Sequence, residues 1–277
     1  MAAAPATVSH TDLEQVARTL RRHIVRMIAA ANSGHPGGSL SAVEIVTALY
    51  FGGVLRHDPT RPDWPDRDRF ILSKGHGVPA LYAALAERGY FPTDELMTLR
   101  QVDSRMQGHP VQGVTPGIEA STGSLGQGLS IGIGHALAAR LDRRAFHTWV
   151  LMGDGECQEG QVWEAAMTAG NYELSSLTAI VDSNRFQLDG TVEEINSLAP
   201  LGEKFAAFKW HVVECDGHDL SALLDAFADA RVPRDRPTCI IAHTVKGKGV
   251  TFMENNNEFH GKAPTREQLA VALAQLA

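Results

Sequence analysis

The sequence predicts an α/β fold, a mostly parallel sheet with helices on both faces, and three observations lead there. Short apolar runs alternate with helix-like stretches through the second half of the chain. The runs are apolar at consecutive positions, as in strands buried on both sides. Two of them stop abruptly at polar clusters, GDGE at 153 to 156 and DSNRF at 182 to 186.

The first half opens with TDLEQVARTLRRHIVRMIAAAN, where Leu13, Val16, Ala17, Leu20, Ile24, Met27 and Ile28 recur at helical spacing. Thr11 and Glu14 supply a capping-box pattern at its start. SAVEIVTALYF and VPALYAALAERGY read as further helices beside Gly or Pro, and residues 52 to 69 between them as a proline-punctuated loop. TGSLGQGLSIGIGHALAARL, from 122 to 141, reads as a glycine-studded helix that another backbone can approach closely. After it come the strand HTWVLM, the helix GQVWEAAMTAGNY, and the strands SLTAIVD and KWHVVEC. The helix DLSALLDAFADAR, the strand TCIIAHTV and an Ala/Leu-rich closing helix complete the order, the last packing through Leu269, Val271, Leu273 and Leu276. With no linker or internal repeat in view, residues 1–277 are expected to form one unit.

Composition narrows the function classes. A net charge of −7 gives no general attraction for nucleic acid or anionic lipid. Cys157, Cys215 and Cys239 lack metal-ligand spacing and are too few for a disulfide framework, which favours a reducing cytoplasm. The opening MAAAPATVSH lacks the basic and apolar regions of a signal peptide, and no later stretch is long enough to span a bilayer.

In an open parallel sheet, ligands gather beyond the carboxyl ends of the strands, so the two polar clusters should face one crevice. Asp154 offers a hard anionic oxygen and Asn184 a neutral carbonyl oxygen, the donors magnesium favours beside phosphate. Gly153 and Gly155 leave room for a diphosphate against the backbone, and the helix after them can direct N–H groups at it. Taken alone, an aspartate between glycines also suits a plain turn with an N-cap.

GDGECQEGQVWEA followed by DSNRFQLDG resembles the thiamine diphosphate signature, and the surrounding motifs narrow the resemblance to the transketolase family. These are SGHPGGSLSAVE, LSKGHGVPALYA, GHP at 108 to 110, STGSLGQGLSIGIGHALA and FHGKAP, in the family's order across nearly the whole chain. The resemblance implies a thiamine diphosphate-binding fold in which Asp154, the Asn184 side chain and the Phe186 backbone carbonyl hold magnesium, or calcium or manganese in its place. It implies that His76, Gly155, Asn184 and His260 meet the cofactor's diphosphate region and that Gly123, Ser124 and Leu125 lie along its middle. Phe186 departs from the smaller aliphatic residue expected there, which a backbone ligand tolerates.

His35, His109 and His260 are implied as the catalytic cluster that meets the sugar's hydroxyl and carbonyl oxygens. Imidazole suits that work, since its ordinary pKa of about 6.5 lets it pass protons near neutral pH. His10, His23, His57, His147 and His211 lie outside the motifs and read as surface or structural residues. Glu159 and Glu164 are implied to lie near a dimer interface; Lys246 and Lys248 read either as solvated charges or as phosphate attractors, outside the expected site.

The family continues with pyrimidine-binding and C-terminal domains, and no residue here matches the glutamate that serves the cofactor's aminopyrimidine. The expectation is therefore an N-terminal, diphosphate-binding subunit of a split transketolase. It would act on sugar phosphates with a separate C-terminal subunit in an α2β2 assembly. A piece of a longer chain is the competing explanation. The rival functions are a deoxyxylulose phosphate synthase-like or 2-oxo acid dehydrogenase-like subunit, and a noncatalytic assembly subunit.

Overall fold

The computed structural model describes residues 10–277. The first helix, α1 (His10–Ala31), buries Leu13, Leu20, Ile24, Met27 and Ile28 along one stripe, the face its spacing predicts. It is already helical at His10, so Thr11 sits inside the first turn rather than capping it. Two short helices follow, α2 (Pro36–Ser41) and α3 (Val43–Phe51). Both are buried nearly throughout, which explains their weak amphipathic pattern.

The sheet has five parallel strands, β1 (Arg69–Leu72), β2 (Thr148–Gly153), β3 (Leu177–Ser183), β4 (His211–Asp216) and β5 (Thr238–His243), in the order β1-β2-β3-β5-β4. Four were expected. The addition is β1, the run Arg-Phe-Ile-Leu, whose four residues are too few to show a period of their own and which pairs only with β2. The other edge, β4, is half-buried except at Glu214 and Asp216, which are exposed, while β2 is buried at every position.

Alternate residues of the strands feed two separate cores. Leu72, Trp149, Leu151, Ile180 and Ile240 face α1, α3, α4 (Val78–Glu87) and α9 (Leu220–Ala230). Ile71, Val150, Met152, Ala179, Val181 and Ile241 face α5 (Gln127–Leu141), α6 (Gly160–Asn171) and Phe205 of α8 (Leu201–Ala207). Each fully buried large side chain on these strands stabilises the fold by about 1.5–3 kcal/mol. Helices on both faces agree with the predicted fold class.

Local chemistry sets the helix ends. Pro79 occupies the first turn of α4, where its missing N–H costs nothing. The glycine-studded helix begins at Gln127 rather than at residue 122, because Gly126 takes a left-handed φ of 81° and turns the chain into α5. A capping box from Thr191 and Glu194 starts α7 (Val192–Asn196), and one from Thr265 and Gln268 starts α10 (Arg266–Gln275). In α10, Leu276 is buried and Leu269 and Leu273 pack against the core as expected, but Val271 is 48% exposed and Ala272 takes the inward position. Among the described residues no helix is long and apolar enough to cross a membrane.

Gly132 is where α5 meets β2: a Cβ there would lie 2.4 Å from Val150 Cγ2. Gly134, one turn face away, has open space around it. Gly132→Val should therefore lower stability by about 1–3 kcal/mol through overpacking. Gly134→Ala should raise it by up to about 1 kcal/mol through helix propensity. Urea denaturation of the two variants reads both signs.

Candidate active site

The register of the sheet brings the two polar clusters together. Gly153 at the end of β2 pairs with Asp182 on β3, and the Asp154 N–H donates to the Asp182 carbonyl at 3.2 Å. The loops after both strands therefore open into one cleft of about 390 Å³. Its walls include His35, His76, His109, Gly123, Leu125, Asp154, Gly155, Asn184, Phe186 and His260, all expected there. Ser124 does not line it; its side chain is exposed in the turn before α5.

Asp154 is 5% exposed and accepts backbone N–H groups from Gly155 at 2.8 Å and Arg185 at 2.5 Å. Asn184 Oδ1 accepts the Phe186 N–H at 3.1 Å, and Arg185 between them holds a left-handed φ of 70°, a conformation that costs a non-glycine residue about 1–3 kcal/mol. This turn lies against Gly155, where a Cβ would come within 2.6 Å of Gln187 Cβ and 3.5 Å of the Phe186 carbonyl oxygen. Glycine is needed for that approach.

Charge is unevenly distributed around these groups. Lys74, 1% exposed, pairs with Asp182, which also accepts from Ser41 Oγ at 2.6 Å and from Thr244 Oγ1. Burial alone would raise the Asp182 carboxyl, but the Lys74 ammonium and these hydrogen bonds pull it below the ordinary range. Asp154 has no ion-pair partner among the described residues. Burial and then the Asp182 charge push its carboxyl up to about 7.

A hard dication fits that deficit, since it would favour the ionised form of Asp154 that burial opposes. Among the described residues no three His, Cys, Asp or Glu side chains gather as a metal-holding group. The fitting donor set is instead one carboxylate, one amide oxygen and one backbone carbonyl.

The four motif histidines form a cluster. Ring centroids are 5.3 Å apart for His35 and His76, 5.4 Å for His76 and His260, 5.7 Å for His35 and His260, and 6.4 Å for His35 and His109. Burial, followed by nearby cations, lowers all four pKa values, His35 to about 4 and His260 to about 3. They are therefore neutral at pH 7, so they offer hydrogen bonds and weak basicity rather than the near-neutral titration an ordinary imidazole has. His35 Nδ1 is buried and has no hydrogen-bond partner among the described residues.

Several residues of the site were not anticipated. Lys246 is buried, donating to His260 Nδ1 at 2.8 Å and Asn257 Oδ1 at 2.7 Å, with its Nζ 5.4 Å from the Phe186 ring centre. Burial and then Lys74 lower its pKa to about 8, which leaves it mostly charged at pH 7. The ammonium can only donate, so His260 Nδ1 accepts and its Nε2 carries the proton. Glu156 knots three segments together, accepting from Ser73 Oγ, from Gly126 N at 2.9 Å and from Gly153 N at 3.1 Å. Lys74 and Glu156 stood inside motifs already singled out, KGHG and GDGE; a charge beside those glycines was the available signal. Glu159 borders the cleft, and both it and Glu164 are exposed.

Comparison with known proteins follows the same outline. The family described as transketolase, thiamine diphosphate binding domain, matches residues 13–276. The chain is 44% identical over 265 residues to 6-deoxy-6-sulfo-D-fructose transketolase subunit SqwG of Clostridium sp. (strain MSTE9), covering 96% of each chain. It is 43% identical over 275 residues to an apulose-4-phosphate transketolase subunit of Actinobacillus succinogenes, covering 98% of each. Among solved structures, transketolase from Leishmania mexicana superposes with a TM-score of 0.90 at 33% identity, over 98% of this chain and 42% of that one. The chain thus spans about two-fifths of the length of that transketolase.

Two outcomes follow from this electrostatic arrangement. Asp182→Ala leaves the Lys74 ammonium buried without its partner and should cost about 3–5 kcal/mol in urea denaturation. The histidines have folded-state pKa values below their unfolded value of about 6.5, so between there and their folded values the unfolded chain binds more protons. The histidines' contribution to stability should accordingly fall as pH drops from 7 to 5 while that of the raised Asp154 carboxyl grows, so relative to the parent His76→Asn should show a smaller drop, or a larger gain, in melting temperature over that range.

Proposed function

The chain belongs to the transketolase family, and from that premise we propose that it is the diphosphate-binding subunit of a split, thiamine diphosphate-dependent transketolase. It transfers a two-carbon ketol unit from a ketose donor to an aldose acceptor when joined by a second chain. The observation that carries the reading is the convergence of Asp154, Asn184 and Phe186 with His35, His76, His109 and His260 in one cleft at the strand ends.

In the proposed site, Asp154, the Asn184 amide oxygen and the Phe186 carbonyl hold magnesium, with calcium or manganese as substitutes. His76, Gly155, Asn184 and His260 contact the diphosphate, and Gly123, Ser124 and Leu125 flank the cofactor's middle. When bound, thiamine diphosphate supplies the electron sink for carbon–carbon bond cleavage. The protein's part is position and proton traffic. His35, His109 and His260 orient the sugar's oxygens, their neutral imidazoles offering hydrogen bonds to them.

The split arrangement is supported by relatives named as transketolase subunits that this chain matches almost end to end. Residues 1–277 would act as one diphosphate-binding domain. The partner would contribute the pyrimidine-binding and C-terminal domains in an α2β2 assembly, with Glu159 and Glu164 near the interface. The relatives act on a sulfosugar and on a sugar phosphate by name; a ketose and an aldose bearing an anionic group are the proposed substrates here. Three unpaired cysteines are in keeping with a cytoplasmic site of action.

The family match favours this reading over a synthase-like or dehydrogenase-like subunit. The test is ketol transfer by this chain with its partner subunit. Activity is expected from the pair, none from the chain alone, and pyruvate decarboxylation by the pair would overturn the assignment. Thiamine diphosphate with magnesium at about 100 times its dissociation constant should stabilise the paired subunits by about 2.7 kcal/mol. Asp154→Ala should abolish that gain in a melting experiment.

A further inference from the structure

Residues 244 to 249 leave the carboxyl end of β5 with Lys246 lining the cleft, and groups outside the cleft hold their backbone from behind. His218 Nε2 accepts the Val245 N–H at 2.8 Å. Its Nδ1 therefore carries the proton and donates to Glu44 Oε2 at 2.9 Å. Glu44 also receives Arg21 at 2.7 Å, and Arg21 Nε donates to the Lys248 carbonyl at 3.0 Å. Side chains from α1 and the turn after β4, Arg21 and His218, thus grip the loop on both sides of Lys246, and Glu44 of α3 joins them.

The grip is rigid by its surroundings. Arg21 and Glu44 are 6% and 8% exposed. Burial alone would raise the Glu44 carboxyl, but the hydrogen bond from His218 and the Arg21 charge outweigh it and hold the group at about 2. It stays ionised and keeps both donors throughout the physiological range.

On the cleft side the loop is fitted just as closely. The Gly247 N–H donates to the Gly37 carbonyl at 3.0 Å, and a Cβ on Gly37 would lie 3.1 Å from Lys246 Cγ. Lys246 in turn fixes the proton of His260 on Nε2 through its bond to Nδ1.

We infer that Arg21, Glu44 and His218 are positioning residues for cofactor binding: they set the loop so that Lys246 is held against His260 in its donor tautomer. None of the three lines the cleft. They act through Lys246. The inference rests on the thiamine diphosphate reading, because affinity for that cofactor is what the device would tune.

The test is a double-mutant cycle on the assembled two-subunit enzyme, with thiamine diphosphate affinity read by calorimetry in the presence of magnesium. His218→Leu should weaken binding about tenfold, the scale of an outer-shell partner. His218→Gln, which keeps an acceptor for the Val245 N–H, should stay within about threefold of the parent. In a Lys246→Met background, His218→Leu should add less than about twofold, since coupled residues are not additive. A His218→Leu penalty that persists undiminished without Lys246, or parental affinity in His218→Leu, would overturn the positioning role. If His218→Leu fails to assemble, Glu44→Gln, which preserves volume, is put through the same cycle and judged by the same two results. A parent complex that binds no thiamine diphosphate would instead overturn the functional reading beneath it.

Discussion

Two carboxylates, Asp154 and Asp182, are buried side by side at the ends of neighbouring strands, and the fold provides one close ammonium between them. Lys74 neutralises Asp182, reinforced by Ser41 and Thr244. Asp154 is left with backbone N–H groups and a carboxyl raised to about 7. An apolar sheet disfavours a second buried negative charge, and the raised Asp154 carboxyl is the result. The same register that pairs Gly153 with Asp182 sets this difference between the two carboxylates.

The loops around this pair depend on one another for their shape. Glu156 ties the loop after β2 to the segments carrying Ser73 and Gly126, so these walls of the cleft are bonded to one another. The left-handed Arg185 and the close approach at Gly155 fix the turn that carries Phe186. Burial keeps the four imidazoles neutral, and Lys246, donating to His260 Nδ1, places that ring's proton on Nε2. Preorganisation of this kind avoids reorienting dipoles when the ligand arrives.

Strongly apolar or strongly periodic segments were legible in the sequence, and short or context-dependent ones were not. α1, α6 and α9 follow their hydrophobic spacing, and β2, β3, β4 and β5 were visible as apolar runs. β1 escaped because four residues contain no period, and its strand character comes from pairing with β2. The start of α5 was misjudged because the left-handed turn at Gly126 is a property of the loop it terminates. Val271 looked like a packing residue, yet the docking angle of α10 turned Ala272 inward instead.

By itself the sequence determined the fold class, the two polar clusters and the four glycine-flanked histidines, because each is carried by residues adjacent in the chain. Only the tertiary structure decided that Lys74 belongs to Asp182, that Lys246 belongs to His260, and that the imidazoles are neutral. Those outcomes depend on burial and on charges brought from distant segments. Neither quantity exists until the strands are side by side.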